Sequence, residues 1–226
     1  MLEIVPAILP KSFEDLKEHL SRILNISGQV QIDIVDGKFV GKPSWPFVGD
    51  KGEFKSMRRE ELGFPFWEDF DFEIDLMCED PFSYVKDWIS AGAQKIVFHV
   101  ETIDFDNDRL ALEQIRSEGL IEIGLAISID TENERLDELI PYADFIQIMG
   151  IDSIGHQKKP FEKQCIDKVR SFRENYPELS ISVDGGMNPD TARLVIDAGA
   201  NKIIAGSYIF EGLDPKEAID NLKDLV

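Results

Sequence analysis

The run Gln31-Ile32-Asp33-Ile34-Val35-Asp36-Gly37 ends an alternating apolar stretch in two carboxylates directly before a glycine. A strand that only packs has no use for such an ending, whereas a rigidly held aspartate can take a proton from a bound molecule or return one. Residues two apart on a strand share a face, so Gln31 and Asp33 point one way while Ile32 and Ile34 point the other. Asp36, just past the strand, suits closing the turn at Gly37. A second acid ends Ser182-Val183-Asp184 and is followed by Gly185, Gly186 and a helix start at Asn188-Pro189. A third stretch reads Ala205-Gly206-Ser207-Tyr208. Glycine lets backbone N–H groups approach an oxyanion where side chains would clash, so both loops can cradle a phosphate; alternatively they only make tight turns. Asp75, His99 and Glu101 are further polar groups at or near strand ends.

The elements that must position these groups are short β-rich runs alternating with amphipathic segments. Candidate strands cover 3–9, 29–35, 72–77, 95–100, 121–127, 145–149, 180–184 and 202–205. Ser12 opens a segment whose Phe13, Leu16, Leu20 and Ile23 fall on one helical face, with Glu14 and Asp15 at the positive end of its dipole. Asp80-Pro81, Asn188-Pro189 and Asp214-Pro215 each place a capping side chain before a proline at the first helical position. About eight intervening helices are expected. Ala91-Gly92-Ala93-Gln94-Lys95-Ile96-Val97 recurs as Ala198-Gly199-Ala200-Asn201-Lys202-Ile203-Ile204, roughly four βα units of ~27 residues further on. The spacing predicts an α/β chain folded as a TIM-type (β/α)8 barrel, a single domain over 1–226. A doubly wound open sheet is the alternative, although Leu9-Pro10-Lys11-Ser12 stands where its glycine-rich loop would be. Functional groups of a parallel barrel collect at the carboxyl ends of its strands, which is where Asp33, Asp75 and Asp184 fall.

Forty-four acidic against 24 basic residues leave a net charge of -20, a field that repels phosphate backbones and anionic lipid, so neither nucleic acid nor a membrane is an expected partner. A small anionic substrate must then be held by local donors. Cys78 and Cys165, outside any CxxC spacing, read as free thiols of a reducing compartment. With no basic leader and no apolar run of ~18 residues, the expected location is cytoplasmic. An aromatic-rich insertion at about 41–70, with Trp45, Phe47, Phe54, Phe64, Phe66, Trp67 and Phe70, reads as a packed helix with an elaborate cap, or as a lid or subunit contact. A homo-oligomer is expected.

Several stretches, in order along nearly the whole chain, resemble the ribulose-phosphate 3-epimerase family of ribulose-phosphate-binding barrels. They are Val5-Pro6-Ala7-Ile8-Leu9, Asp33 to Val40, Asp75-Leu76-Met77, Phe98-His99-Val100-Glu101, Val183-Asp184-Gly185-Gly186 and Gly206 to Phe210. The resemblance implies a phosphorylated ketose as substrate and interconversion of ribulose 5-phosphate and xylulose 5-phosphate through an enediolate. It also implies that Asp33 and Asp184 are the catalytic pair on opposite faces of the sugar. Gly185, Gly186, Gly206 and Ser207 are then candidate phosphate contacts, with Met77 and His156 further candidate substrate contacts.

The family holds a divalent metal through two histidines and the two aspartates, and here this sequence departs from it. Gln31 and Asp75 stand where the histidines belong, Ala7 replaces a serine, Val35 replaces a methionine, and the loop at 152–157 is altered. If Gln31, Asp33, Asp75 and Asp184 converge, carboxylates ~5 Å apart repel by about 3 kcal/mol per pair at an effective dielectric of about 20. Such a cluster needs a cation or a proton. With a cation, the oxygen-only donor set suits Mg or Mn better than Zn; without one, a carboxyl stays protonated and the reaction is lost or replaced. Two further possibilities are a sugar-phosphate isomerase or lyase of the same barrel family and a non-catalytic sugar-phosphate-binding barrel. Among the histidines, His99 is expected in a hydrogen-bonded structural role and His19 at the surface.

Overall fold

The computed structural model describes residues 2–49, 51–152, 154–155, 159–212 and 214–225. Eight parallel strands close into a barrel in sequence order: β1 (Glu3–Ile8), β2 (Gln29–Val35), β3 (Asp71–Met77), β4 (Lys95–His99), β5 (Glu122–Ile127), β6 (Phe145–Met149), β7 (Ser180–Asp184) and β8 (Lys202–Ala205). The barrel is thus the architecture expected, and the open sheet is excluded because β8 pairs with β1. No helix among the described residues is long and apolar enough to cross a membrane.

The helices are α1 (Phe13–Ile23), α2 (Gly52–Met57), α3 (Val85–Ala91), α4 (Phe105–Glu118), α5 (Gln164–Asn175), α6 (Pro189–Ala198), α7 (Ser207–Phe210) and α8 (Pro215–Lys223). Ser12, Asn188 and Asp214 cap α1, α6 and α8 through side-chain hydrogen bonds, as their positions predict. Asp80 does not cap: the chain enters a 3-10 turn at Pro81–Tyr84 and reaches α3 only afterwards. Nor is there an α-helix between β5 and β6, where Asn133–Leu136 and Ile140–Tyr142 form two 3-10 turns. Pro141 inside the second turn lacks the N–H that a continuing helix would use.

Period-two alternation sorts the strands into two surfaces. Ile32, Ile34, Ile74, Leu76, Ile96, Phe98, Ile146 and Ile148 face outward into the core shared with the helices, with Leu16, Leu20, Trp88, Leu112, Val169 and Val195 on the helical side. The inward surface is polar for a barrel core. Among the described residues, all the buried polar ones except Ser44 are strand residues on this inner surface: Gln31, Asp33, Glu73, Asp75, His99, Gln147, Ser182 and Lys202. Toward the amino end of the strands Lys202 pairs with Glu73, both about 3% exposed, while the Lys202 ammonium lies 4.5 Å from the centroid of Phe145. Phe145 fills this level because a side chain at Gly124 would collide with its ring.

Most aromatics of the insertion pack against one another and the barrel's outer layer. Trp45, Phe54 and Trp88 form a ring cluster with centroids 4.6 to 6.2 Å apart, and Phe64 stacks on Phe72 at 4.2 Å. Trp67 is the exception at 65% exposed.

Candidate active site

Asp33 lies two residues before the end of β2, and Asp184 ends β7. Register carries Asp33 beside Asp75 across the β2–β3 pair. The closed barrel brings β7 round to face them, so that one carboxylate oxygen from each of Asp33, Asp75 and Asp184 lies within 4.8 Å of the others. The Gln31 amide spans the pair: its Nε2 donates to Asp33 Oδ1 at 2.9 Å and to Asp184 Oδ2 at 3.2 Å. Its Oε1 is buried with no hydrogen-bond partner among the described residues. The four residues therefore converge as their strand positions predict.

Asp75 is held from the other side. His99 Nε2 lies 3.0 Å from Asp75 Oδ1, and Gln147 Nε2 donates to Oδ2 at 2.9 Å. His99 is fully buried, against the Phe39 ring at 5.4 Å, and Glu101 approaches its Nδ1 at 3.8 Å. Its hydrogen-bonded placement is the one expected. Burial works against a charge on His99, but the Asp75 carboxylate, the hydrogen bond to it and Glu101 outweigh that and raise its pKa. His99 and Gln147 thus hold the Asp75 carboxylate between two hydrogen bonds.

The two remaining carboxyls hold protons more tightly than usual. Burial raises the Asp33 pKa well above the ordinary range, and the charges of Asp184 and Asp75 push it the same way. Burial and then Asp75 lift Asp184 to about 7, against the Gln31 hydrogen bond and His99. Near neutrality the pair can hold one acid and one base, the combination that proton transfer across one carbon needs.

Asp33 and Asp184 line a narrow cavity of about 50 Å³, with Met77, Gly185, Gly186, Gly206 and Ser207 around it. The glycines are required by the chain path. Gly185 and Gly186 have φ of +106° and +70°, and a side chain on Gly186 would lie 3.0 Å from the Phe161 backbone. Asp36 is a turn residue, accepting from the amides of Lys38, Phe39 and Glu79. His156, expected at the substrate, lies outside the described residues. His19 is half-buried rather than fully exposed, with its ring 4.9 Å from Phe210. Three groups escaped the sequence reading. Gln147 was legible as the polar inward residue of an otherwise apolar strand, Phe145-Ile146-Gln147-Ile148-Met149; Lys202 had the same signal; Lys159, which also lines the cavity, had none beyond lying just past the altered loop.

The three converging carboxylates of Asp33, Asp75 and Asp184 form a hard, oxygen-only set, which fits a divalent cation, while the Gln31 amide turns its Nε2 to two of them. The imidazole and amide behind Asp75 provide the supporting hydrogen bonds that ligating carboxylates usually have.

Residues 3–210 match the model of the ribulose-phosphate 3 epimerase family. A ribulose-phosphate 3-epimerase of Candida glabrata is 32% identical over 99% of this chain and 92% of its own length. The cytoplasmic isoform of ribulose-phosphate 3-epimerase of Oryza sativa is 29% identical over 99% of this chain and 94% of its own length. Among solved structures, 3-hexulose-6-phosphate synthase of Salmonella typhimurium superposes with a TM-score of 0.69 at 15% identity, covering 99% of this chain and 98% of that one. The 3-keto-L-gulonate-6-phosphate decarboxylase of Vibrio cholerae gives 0.70 at 13%, covering 99% and 96%. At such identities the structural likeness concerns the fold alone.

Proposed function

The chain belongs to the ribulose-phosphate 3 epimerase family, and from that premise we propose that it is an isomerase interconverting ribulose 5-phosphate and xylulose 5-phosphate, with Asp33 and Asp184 as the acid/base pair. The observation that carries this reading is the pair itself: two carboxyls with raised pKa values on β2 and β7, bridged by one amide and lining one cavity.

One of Asp33 and Asp184 takes the proton from C3 of the ketose, and the other delivers one from the opposite face. In the reverse direction the roles exchange. Gln31 keeps the two carboxyls apart in fixed orientations, which is the positioning that such a transfer demands. His99 and Gln147 hold Asp75, so that its charge is fixed relative to the pair. Asp33, Asp75 and Asp184 would hold a divalent cation, magnesium or manganese in preference to zinc, and Gln31 would join them by turning its amide over to present Oε1. Bound there, it supplies positive charge that offsets the carboxylates and the developing enediolate oxygen. Backbone amides around Gly185, Gly186, Gly206 and Ser207 suit the substrate phosphate.

The test is conversion of ribulose 5-phosphate to xylulose 5-phosphate with and without Mn²⁺, for the wild type and for Asp33→Asn. A loss of about 10²- to 10⁴-fold in the variant is expected. Full activity in that variant would remove Asp33 from the pair. Ligand-induced stabilisation without turnover would favour a sugar-phosphate-binding barrel. Self-association through the face carrying Trp67 and Leu62 fits their exposure, and sedimentation checks it. A cytoplasmic location fits the rice relative's name.

A further inference from the structure

Among the described residues, three titratable ones line the cavity, and two of them are Asp33 and Asp184. The third is Lys159, and we propose that it is the specificity-determining cation that pairs with the substrate's phosphate. The inference rests on the epimerase reading of the same site and adds the residue that selects phosphorylated over unphosphorylated ketose.

The placement of Lys159 follows from how its segment is tied down. Glu162 N–H donates to Gly150 C=O at 2.8 Å, which fastens the chain after Lys159 to the end of β6. Between them, Phe161 crosses Gly186 so closely that its backbone stands 3.0 Å from where a side chain on that glycine would begin. Lys159 is thus two residues from the crossing point and lines the same cavity as Gly185, Gly186, Gly206 and Ser207. Its flexible stem gives the ammonium reach over that glycine-lined end.

The charge balance gives such a cation a task. A phosphate dianion entering here meets a chain of net charge -20 and a cluster of three carboxylates. Backbone amides favour an oxyanion through dipoles but carry no net charge, so they leave the repulsion between the carboxylates and a phosphate only partly offset. A lysine adds a full positive charge that a phosphate uses and a hydroxyl does not. Because Lys159 lies outside the strands on a half-buried segment, replacing it leaves the barrel core untouched.

The experiment compares the wild type with Lys159→Met and Lys159→Arg, using inorganic phosphate as the probe in calorimetric titration and ribulose 5-phosphate in turnover. In Lys159→Met the phosphate Kd is expected to rise about ten- to one-hundred-fold, with KM rising more than kcat falls. Lys159→Arg should recover most of the affinity, and rising salt should weaken the wild type more than the methionine variant. Equal phosphate Kd values in wild type and Lys159→Met overturn the proposal even if both turn over substrate, as does a wild type that binds no phosphate. A Lys159-dependent phosphate Kd without turnover upholds the proposal and overturns the epimerase reading. A loss confined to kcat puts Lys159 at the reacting carbon and refutes its assignment to the phosphate.

Discussion

Replacing Asp184 by Asn should inactivate the protein and at the same time stabilise its metal-free form. The carboxyl of Asp184 titrates near 7 in the folded chain against an ordinary 3.8, because of its burial and then the Asp75 charge. A carboxyl whose folded pKa is raised contributes nothing below its unfolded pKa, where both states are protonated. It then destabilises progressively as pH rises toward the folded value, because the unfolded chain ionises first. At 1.36 kcal/mol per pH unit the ceiling is about 4 kcal/mol above pH 7. Asp184 retains a partly exposed edge on the cavity, so about 1–3 kcal/mol is the working expectation. Asparagine keeps an oxygen for the Gln31 Nε2 donor and drops the charge. For a chain of this length, that gain raises Tm by roughly 2–10 °C. The assay is thermal unfolding of wild type and Asp184→Asn in chelator, at pH 8 and at pH 4. The gain should be present at pH 8 and absent at pH 4, and Mn²⁺ should restore stability to the wild type more than to the variant. Destabilisation at pH 8, or a gain of equal size at both pH values, would show that an ionised carboxylate buried beside Asp75 is not what strains this site.

Three further outcomes are expected. Gly186→Ala combines a left-handed backbone with a tight approach to Phe161 and should cost about 1–3 kcal/mol in denaturant unfolding, while weakening phosphate binding; an unchanged midpoint would mean that the crossing relaxes freely. Lys202→Met leaves Glu73 buried without its cation and should cost about 3–5 kcal/mol, measured by urea denaturation; a neutral result would show that Glu73 is protonated or solvated. Mn²⁺ at a hundredfold excess over its Kd should stabilise the wild type by about 2.7 kcal/mol. Asp75→Asn should weaken that response, and equal responses would remove Asp75 from the ligand set.

The barrel was legible because its signals are local. Period-two alternation, Ser12, Asn188 and Asp214 as caps, and glycine at the helix ends act within a few residues. The same alternation put Gln31 and Asp33 on the inner surface and Asp36 in the turn. Local signals failed where a proline interrupted the segment between β5 and β6, and where Asp80 met a 3-10 turn instead of a helix.

The sequence by itself thus determined which residues face inward and at which end of the strands they lie, since both follow from covalent spacing along one strand. Only the tertiary structure decided what those residues do to each other. The bridge from Gln31 to Asp33 and Asp184, the clasp of His99 and Gln147 on Asp75 and the place of Lys159 at the cavity all join segments distant in the chain. The raised affinity of Asp33 and Asp184 for protons has the same origin, because Coulomb energy and desolvation depend on separation through space and on exclusion of water, and closure of the barrel sets both.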